Sequence, residues 1–214
     1  MNIRLQVASA SPPYNTIQLI EMIIQPILDE FKKHLPFNDQ EAALMETRAV
    51  RRNVKRRQTI LQEGMVCKHY SFVVEGCFRM YSIDEKGGEH NIQFVAENDW
   101  ITDIGSFYSD KPSKLYIEAL EPSVILQIEK LDLYFLYISI PKLGRIFKVI
   151  IENKFVELQN RVLQNISSTA HQRYLSFLEQ YPTIAQRLPS TQIASYLGIT
   201  PEFLSKIRKE ISLK

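Results

Sequence analysis

The chain has 214 residues, 45% of them apolar, enough to build a real core in one large domain or two modest ones. Its 26 basic and 24 acidic residues leave a formal charge of only +2, so a nucleic-acid surface would have to come from local placement of cations. The opening MNIRLQVASASPPYNTIQLI lacks a basic segment followed by a continuous apolar run, and no stretch approaches the roughly 18 apolar residues of a membrane span. These features predict a cytoplasmic protein with no membrane partner.

In chain order, Ile17, Ile20, Ile23, Ile24, Ile27, Leu28 and Phe31 recur three and four apart, predicting a leading amphipathic helix interrupted at Pro26. Next comes the densest positive charge, RAVRRNVKRRQ from Arg48 to Gln58. It reads as a solvated edge strand whose charges oppose edge-to-edge pairing, with an auxiliary phosphate contact as the alternative. From Gln58 to Ile128 the short β-rich runs SFVV, CFRMYSI, HNIQFV, KLYIEAL and VILQI alternate with turn signals, the pattern of a barrel or jelly roll. Cys67 and Cys77 have neither a CxxC spacing nor histidines at zinc-finger distance, and buried reduced thiols are expected.

Past Pro141, Leu143, Phe147, Ile151, Phe155, Leu158, Val162 and Ile166 make a helical stripe with no glycine or proline from Arg145 to Thr169. Additional apolar residues at Ile146, Val149, Ile150, Val156 and Leu163 give this long helix a second apolar side, which predicts self-association. A further helix is expected over Ala170 to Gln180, stopped by Tyr181-Pro182.

The terminal stretch STQIASYLGITPEFLSKIRKEI reads as two short helices joined at a glycine. Ser190 or Thr191 can cap the first, Ala194 is small enough for a close crossing, and Gly198 stands where positive φ is needed. Thr200 caps the second helix with Pro201 at its first position, and Leu204, Ile207 and Ile211 form its inner face. Thr200, Glu202, Ser205, Lys206, Arg208 and Lys209 are the candidate DNA-binding residues, with base edges met by the early positions and phosphates by the later cations.

IASYLGITPEFLSKIRK resembles the DNA-reading element of the Crp/Fnr family of transcription regulators, in particular its short Bacteroidetes-type members. The order of the glycine-punctuated strands, the long helix and the terminal motif is similar from about Phe31 to Lys214. The resemblance implies an α+β fold: a double-stranded β-helix (jelly roll) sensor domain, a long dimerisation helix and a C-terminal helix-turn-helix domain. The expected divisions are a leading segment and helix over 1–35, a cyclic-nucleotide-binding-like jelly roll over 36–140, the dimerisation helix over 141–167 and the DNA-binding domain over 168–214. Implied partners are double-stranded DNA, a second copy through the long helix and, as a further candidate, RNA polymerase. Glu202 and Lys206 match family positions that reach base edges, whereas Pro201 stands where catabolite-activator relatives have an arginine. The sequence closes at Lys214 directly after the second helix, from which few phosphate contacts and a shallow salt dependence are expected.

Family members that bind cyclic nucleotides use a glutamate after glycine, a short helix whose N–H groups face the phosphate, and an arginine followed by serine or threonine. In the matching WITDIGSFYSDKPSKLYIEALE, Thr102 replaces the glycine, Asp103 stands for the glutamate, and Ser113-Lys114 occupy the arginine-serine position. With Ile104 and Gly105 between them, and Leu158 and Gln159 where the long helix would meet a base, these residues are the effector-pocket candidates. Loss of an arginine clamp forfeits charge-assisted bonds of ~1.5 to 3 kcal/mol each, which argues against ordinary cAMP binding and leaves the effector open. Otherwise, Asp103 and Lys114 are read as a surface ion pair.

No cofactor, metal site or catalytic residue is expected. Two cysteines are too few for an iron–sulfur sensor, and His69, His90 or Cys77 as haem ligands have no supporting pattern. The competing functional class is a cupin-like metal-dependent enzyme, or a ligand-binding barrel that does not act on DNA. A cupin would want a His-x-His pair with a following glutamate, and only Glu89-His90 and a distant His69 are present.

Overall fold

A computed structural model describes residues 14–212, with side chains from 23 onward. The first helix, α1, spans Tyr14–Lys32 and runs through Pro26 without the expected interruption. A proline inside a helix costs about 3 kcal/mol. Here Ile24, Ile27, Leu28 and Phe31 are all buried around it, each stabilising by roughly 1.5–3 kcal/mol, so packing outweighs the lost bond. Ile17 and Ile20 lie outside the described side chains. A short helix that the sequence pattern did not announce, α2 (Asp39–Glu46), follows, started by a reciprocal capping box between Asn38 and Glu41.

Eight strands then build two four-stranded antiparallel sheets. They are β1 (Ala49–Val54), β2 (Thr59–Leu61), β3 (His69–Glu75), β4 (Phe78–Ile83), β5 (Glu89–Val95), β6 (Asp99–Ile101), β7 (Tyr116–Ala119) and β8 (Ser123–Glu129). One sheet has the order β1-β8-β3-β6 and the other β2-β7-β4-β5, the two layers of a jelly roll. The basic strand β1 stands at a sheet edge with β8 as its partner, Arg51 opposite Leu126. A one-turn helix, α3 (Ile104–Ser109), interrupts the roll between β6 and β7.

After β8 comes α4 (Lys130–Ser139), absent from the sequence reading, and then α5 (Pro141–Ser167), the long helix with proline at its start. The stripe read for α5 divides differently from expectation. Leu143, Ile146, Phe147 and Ile150 are buried against the roll, whereas Phe155, Val156, Leu158, Val162, Leu163 and Ile166 are exposed. The division is therefore by half as well as by face, because the first half of α5 already fills the barrel's opening. Phe31 of α1 and Phe147 of α5 close over Trp100 of β6, with ring centroids 5.8 and 5.2 Å from the indole.

Four short helices complete the chain: α6 (Ala170–Gln180), α7 (Ile184–Arg187), α8 (Ser190–Leu197) and α9 (Pro201–Ser212). Thr169 and Gln172 form a capping box that starts α6. The core of this unit, which includes Phe177, Ile193, Leu204 and Ile207, is continuous with Cys77 and Phe94 on the outer side of the roll. No helix among the described residues is long and apolar enough to cross a membrane.

Candidate nucleic-acid interface and effector pocket

Helices α8 and α9 meet at Gly198, whose φ of +66° an L-residue adopts only with strain. The Ile199 N–H turns back to the Ala194 carbonyl, and Ala194 is fully buried where the helices cross. The Thr200 hydroxyl accepts from the Phe203 N–H at 3.2 Å, giving α9 its cap. The expected cap on α8 is not made. Pro189 holds that position without a side-chain bond, and Ser190 Oγ instead accepts from Arg208 Nη1 at 2.7 Å.

Glu202, Ser205, Lys206 and Lys209 are exposed on α9, with Leu204 and Ile207 buried behind them. The Glu202 backbone N–H and the Thr200 hydroxyl hold the Glu202 carboxyl below the usual carboxylate range, so it remains an acceptor at neutral pH. Arg208 is placed differently from the other candidates. Its guanidinium donates to Tyr174 Oη at 3.0 Å as well as to Ser190, binding α9 to α6 and α8. Sequence reading passed over Phe203, which is 47% exposed beside Glu202 and could meet a thymine methyl.

The second site is a cavity of about 410 Å³ where the roll, α5 and the terminal unit converge. Thr102, Asp103, Ile104, Gly105 and Leu158 all line it, as expected. Ser113, Lys114 and Gln159 do not: Ser113 is buried with its hydroxyl held by Asp103 and Leu115, and Lys114 and Gln159 are exposed to solvent. The expected Asp103–Lys114 pair is likewise not formed. Asp103 instead accepts from Ser113 Oγ at 2.6 Å and from the Ser106 N–H at 3.2 Å, capping α3.

The cations beside the cavity are already engaged. Lys154 pairs with Asp99 at 2.6 Å and Glu157 at 3.3 Å. Burial works against its charge, but those carboxylates hold its ammonium above the ordinary value. Arg161 donates to the carbonyls of Ile92, Asn91 and Tyr196, and its guanidinium stacks 3.9 Å from the Tyr196 ring. A phosphodiester entering here would find no uncommitted guanidinium fork. Apolar lining from Ile92, Ile104, Ile151, Phe155 and Leu158 suits an apolar molecule better.

The two sites are joined at β5, an edge strand. Ser195 of α8 accepts from the Asn91 N–H at 3.1 Å and donates to the Glu89 carbonyl at 2.7 Å, satisfying backbone groups that a sheet edge leaves open. Arg79 on β4 is buried beneath this contact and bonds Glu89, Glu118 and Gln192. Burial alone would lower its guanidinium, but the two glutamates keep it above its ordinary value. On the same side, Arg187 grips Glu97 through two bonds of 2.8 and 2.9 Å and also reaches Glu121. Cys67 and Cys77 are buried free thiols, and burial pushes Cys77 up to about 12. Among the described residues no group of three or more His, Cys, Asp and Glu is arranged to hold a metal ion.

A family model described as cyclic nucleotide-binding domain matches residues 51–138. Among solved structures, FixK2 from Bradyrhizobium japonicum is similar at 18% identity and a TM-score of 0.67, over 77% of this chain and 85% of that one. A CooA mutant from Carboxydothermus hydrogenoformans has a TM-score of 0.67 at 14% identity, over 82% and 81% of the two chains. A transcriptional regulator assigned to the crp/fnr family from Eubacterium rectale has a TM-score of 0.64 at 17% identity, over 83% and 84%. No match is found among curated proteins.

Proposed function

Because the chain carries a cyclic nucleotide-binding domain on the fold of the Crp/Fnr transcription regulators, we propose that it is a homodimeric, sequence-specific DNA-binding regulator with an effector-sensing roll. The observation that carries this reading is the exposed row Glu202, Ser205, Lys206 and Lys209, placed on one helix by the Gly198 turn and the Thr200 cap. Such a helix fits the major groove. Glu202 can accept from a cytosine amino group, Lys206 can donate to a guanine edge, and Lys209 can meet phosphate.

Dimerisation rests on the exposed apolar side chains of α5, among which Val149, Val156 and Leu163 recur at seven-residue intervals like one seam of a coiled coil. Two copies would present two α9 helices to half-sites about one helical turn apart. The effector is not a cyclic nucleotide held by an arginine clamp, since Lys154 and Arg161 are committed elsewhere and Lys114 faces outward.

Selection from a random duplex library tests the reading. The wild type should enrich an inverted repeat, and Lys206→Ala should change which bases are enriched while leaving the fold intact. Failure of the wild type to enrich any sequence would overturn it. Calorimetric titration with cAMP and cGMP should give no saturable heat.

A further inference from the structure

The basic run Arg48 to Gln58 does two separate things in the fold. Its first part is the edge strand β1, but Lys55, Arg56 and Arg57 lie beyond that strand, in the turn leading to β2. This turn is well braced: the Lys55 N–H donates to Gln58 Oε1 at 2.8 Å and the Arg57 N–H to the Ala119 carbonyl at 2.7 Å. Arg57 has φ of +62°, a conformation that suits glycine or asparagine far better, so a cation is kept here against the preference of the backbone.

Arg56 and Arg57 line a recess of about 400 Å³ together with Arg187, Pro189 and Gln192, the residues that lead into and begin α8. Charge accounting in that recess is uneven. Glu89 and Glu118 are taken by Arg79, and Arg187 is taken by Glu97 and Glu121. Among the described residues Lys55, Arg56 and Arg57 form no ion pair, and all three are exposed. The two acids that line the recess are therefore already paired.

In a helix-turn-helix complex the first helix crosses the phosphodiester backbone beside the groove that the second helix enters. Cations at the start of that first helix then face the phosphates flanking the half-site. We propose that the Lys55-Arg56-Arg57 turn of the sensor roll is a second DNA-contacting surface, binding backbone phosphates next to the stretch read by α9. The sensor domain thereby contributes to DNA affinity directly, and its position relative to α8 decides whether that contribution is made. The inference rests on the regulator reading above.

The test is fluorescence anisotropy of a duplex enriched by the wild type, measured from about 50 to about 200 mM KCl. An Arg56→Gln/Arg57→Gly variant removes both charges and also relieves the positive φ, so its fold should survive; circular dichroism checks this. Two lost phosphate contacts in each subunit, four in the dimer, should lower the slope of log affinity against log salt by roughly 3.6, with the enriched sequence unchanged. A slope equal to that of the wild type overturns this inference alone. A wild type that binds no duplex overturns the regulator reading and this inference with it. An altered sequence preference would instead place these arginines on bases, also against the proposal.

Discussion

Arg79 on β4 donates a 2.9 Å hydrogen bond to the side chain of Gln192 on α8, joining two residues 113 positions apart in the chain. The Arg79 side chain is only 5% exposed. Asn91 adds a 2.8 Å bond to the same Gln192 oxygen, so one amide of α8 is the meeting point of two donors from the roll. The pose of the terminal unit on the roll is thus set by a buried polar network together with the Phe94–Phe177–Tyr196 aromatic contact.

Removing either end of that network should have unequal effects. Gln192→Ala is expected to cost about 1 kcal/mol, because Arg79 and Asn91 keep their other partners. Arg79→Met should cost about 3 kcal/mol, since Glu118 and Glu89 lose the cation that lets them sit against α8. Urea unfolding of both variants measures the difference, and equal losses would refute the ordering.

Two glycines should respond differently to alanine. At Gly198 an added Cβ meets nothing within 4 Å, so the cost is the strain of φ +66° alone, about 1 kcal/mol. At Gly76, with φ +102°, the Cβ would collide with the Ser123 side chain and lie 2.8 Å from its Cα, and about 3 kcal/mol is expected. Thermal melts of Gly198→Ala and Gly76→Ala should separate clearly.

Acid should loosen the Arg187 clamp. The Arg187 guanidinium beside it holds the Glu97 carboxyl down to about 2, against an ordinary value near 4.5. A depressed carboxylate contributes stability that is fully present above its unfolded pKa and disappears as pH falls toward the folded one. The contribution should therefore be complete above about pH 5 and be lost progressively between about 4.5 and 2. Melting temperature followed over that window should fall less steeply for Glu97→Gln than for the wild type.

The apolar half of α5 should govern assembly. Leu163, 61% exposed, lies on the proposed seam. Leu163→Glu would place two carboxylates at a self-paired position, so the variant should run as a folded monomer in light scattering while the wild type runs as a dimer. A dimeric variant, with no change in concentration dependence, would move the interface elsewhere.

How much of this was legible beforehand depended on the range of the interaction concerned. The Gly198 turn, the Thr200-Pro201 start of α9, the extents of α5 and α6 and the strands β3, β4, β5, β7 and β8 follow from short-range signals: positive φ, side-chain caps and apolar periodicity. Helix α4 escaped because LDLYFLYIS is apolar nearly throughout, and a run of that kind reads equally as strand or helix. The capping box of α2 was present as Asn38 and Glu41 and went unused.

By itself, the sequence determined the Gly198 turn, the extents of α5 and α6 and which face of α9 stays polar, because those outcomes depend on residues within one or two turns of each other. Only the tertiary structure decided that Asp103 pairs with Ser113, that Lys114 faces outward, that Arg208 is spent on Tyr174 and Ser190, and that Arg56 and Arg57 stand beside the start of α8. A charged side chain goes to whichever partner the fold brings near with desolvation it can repay, and that competition is settled between residues far apart in the chain.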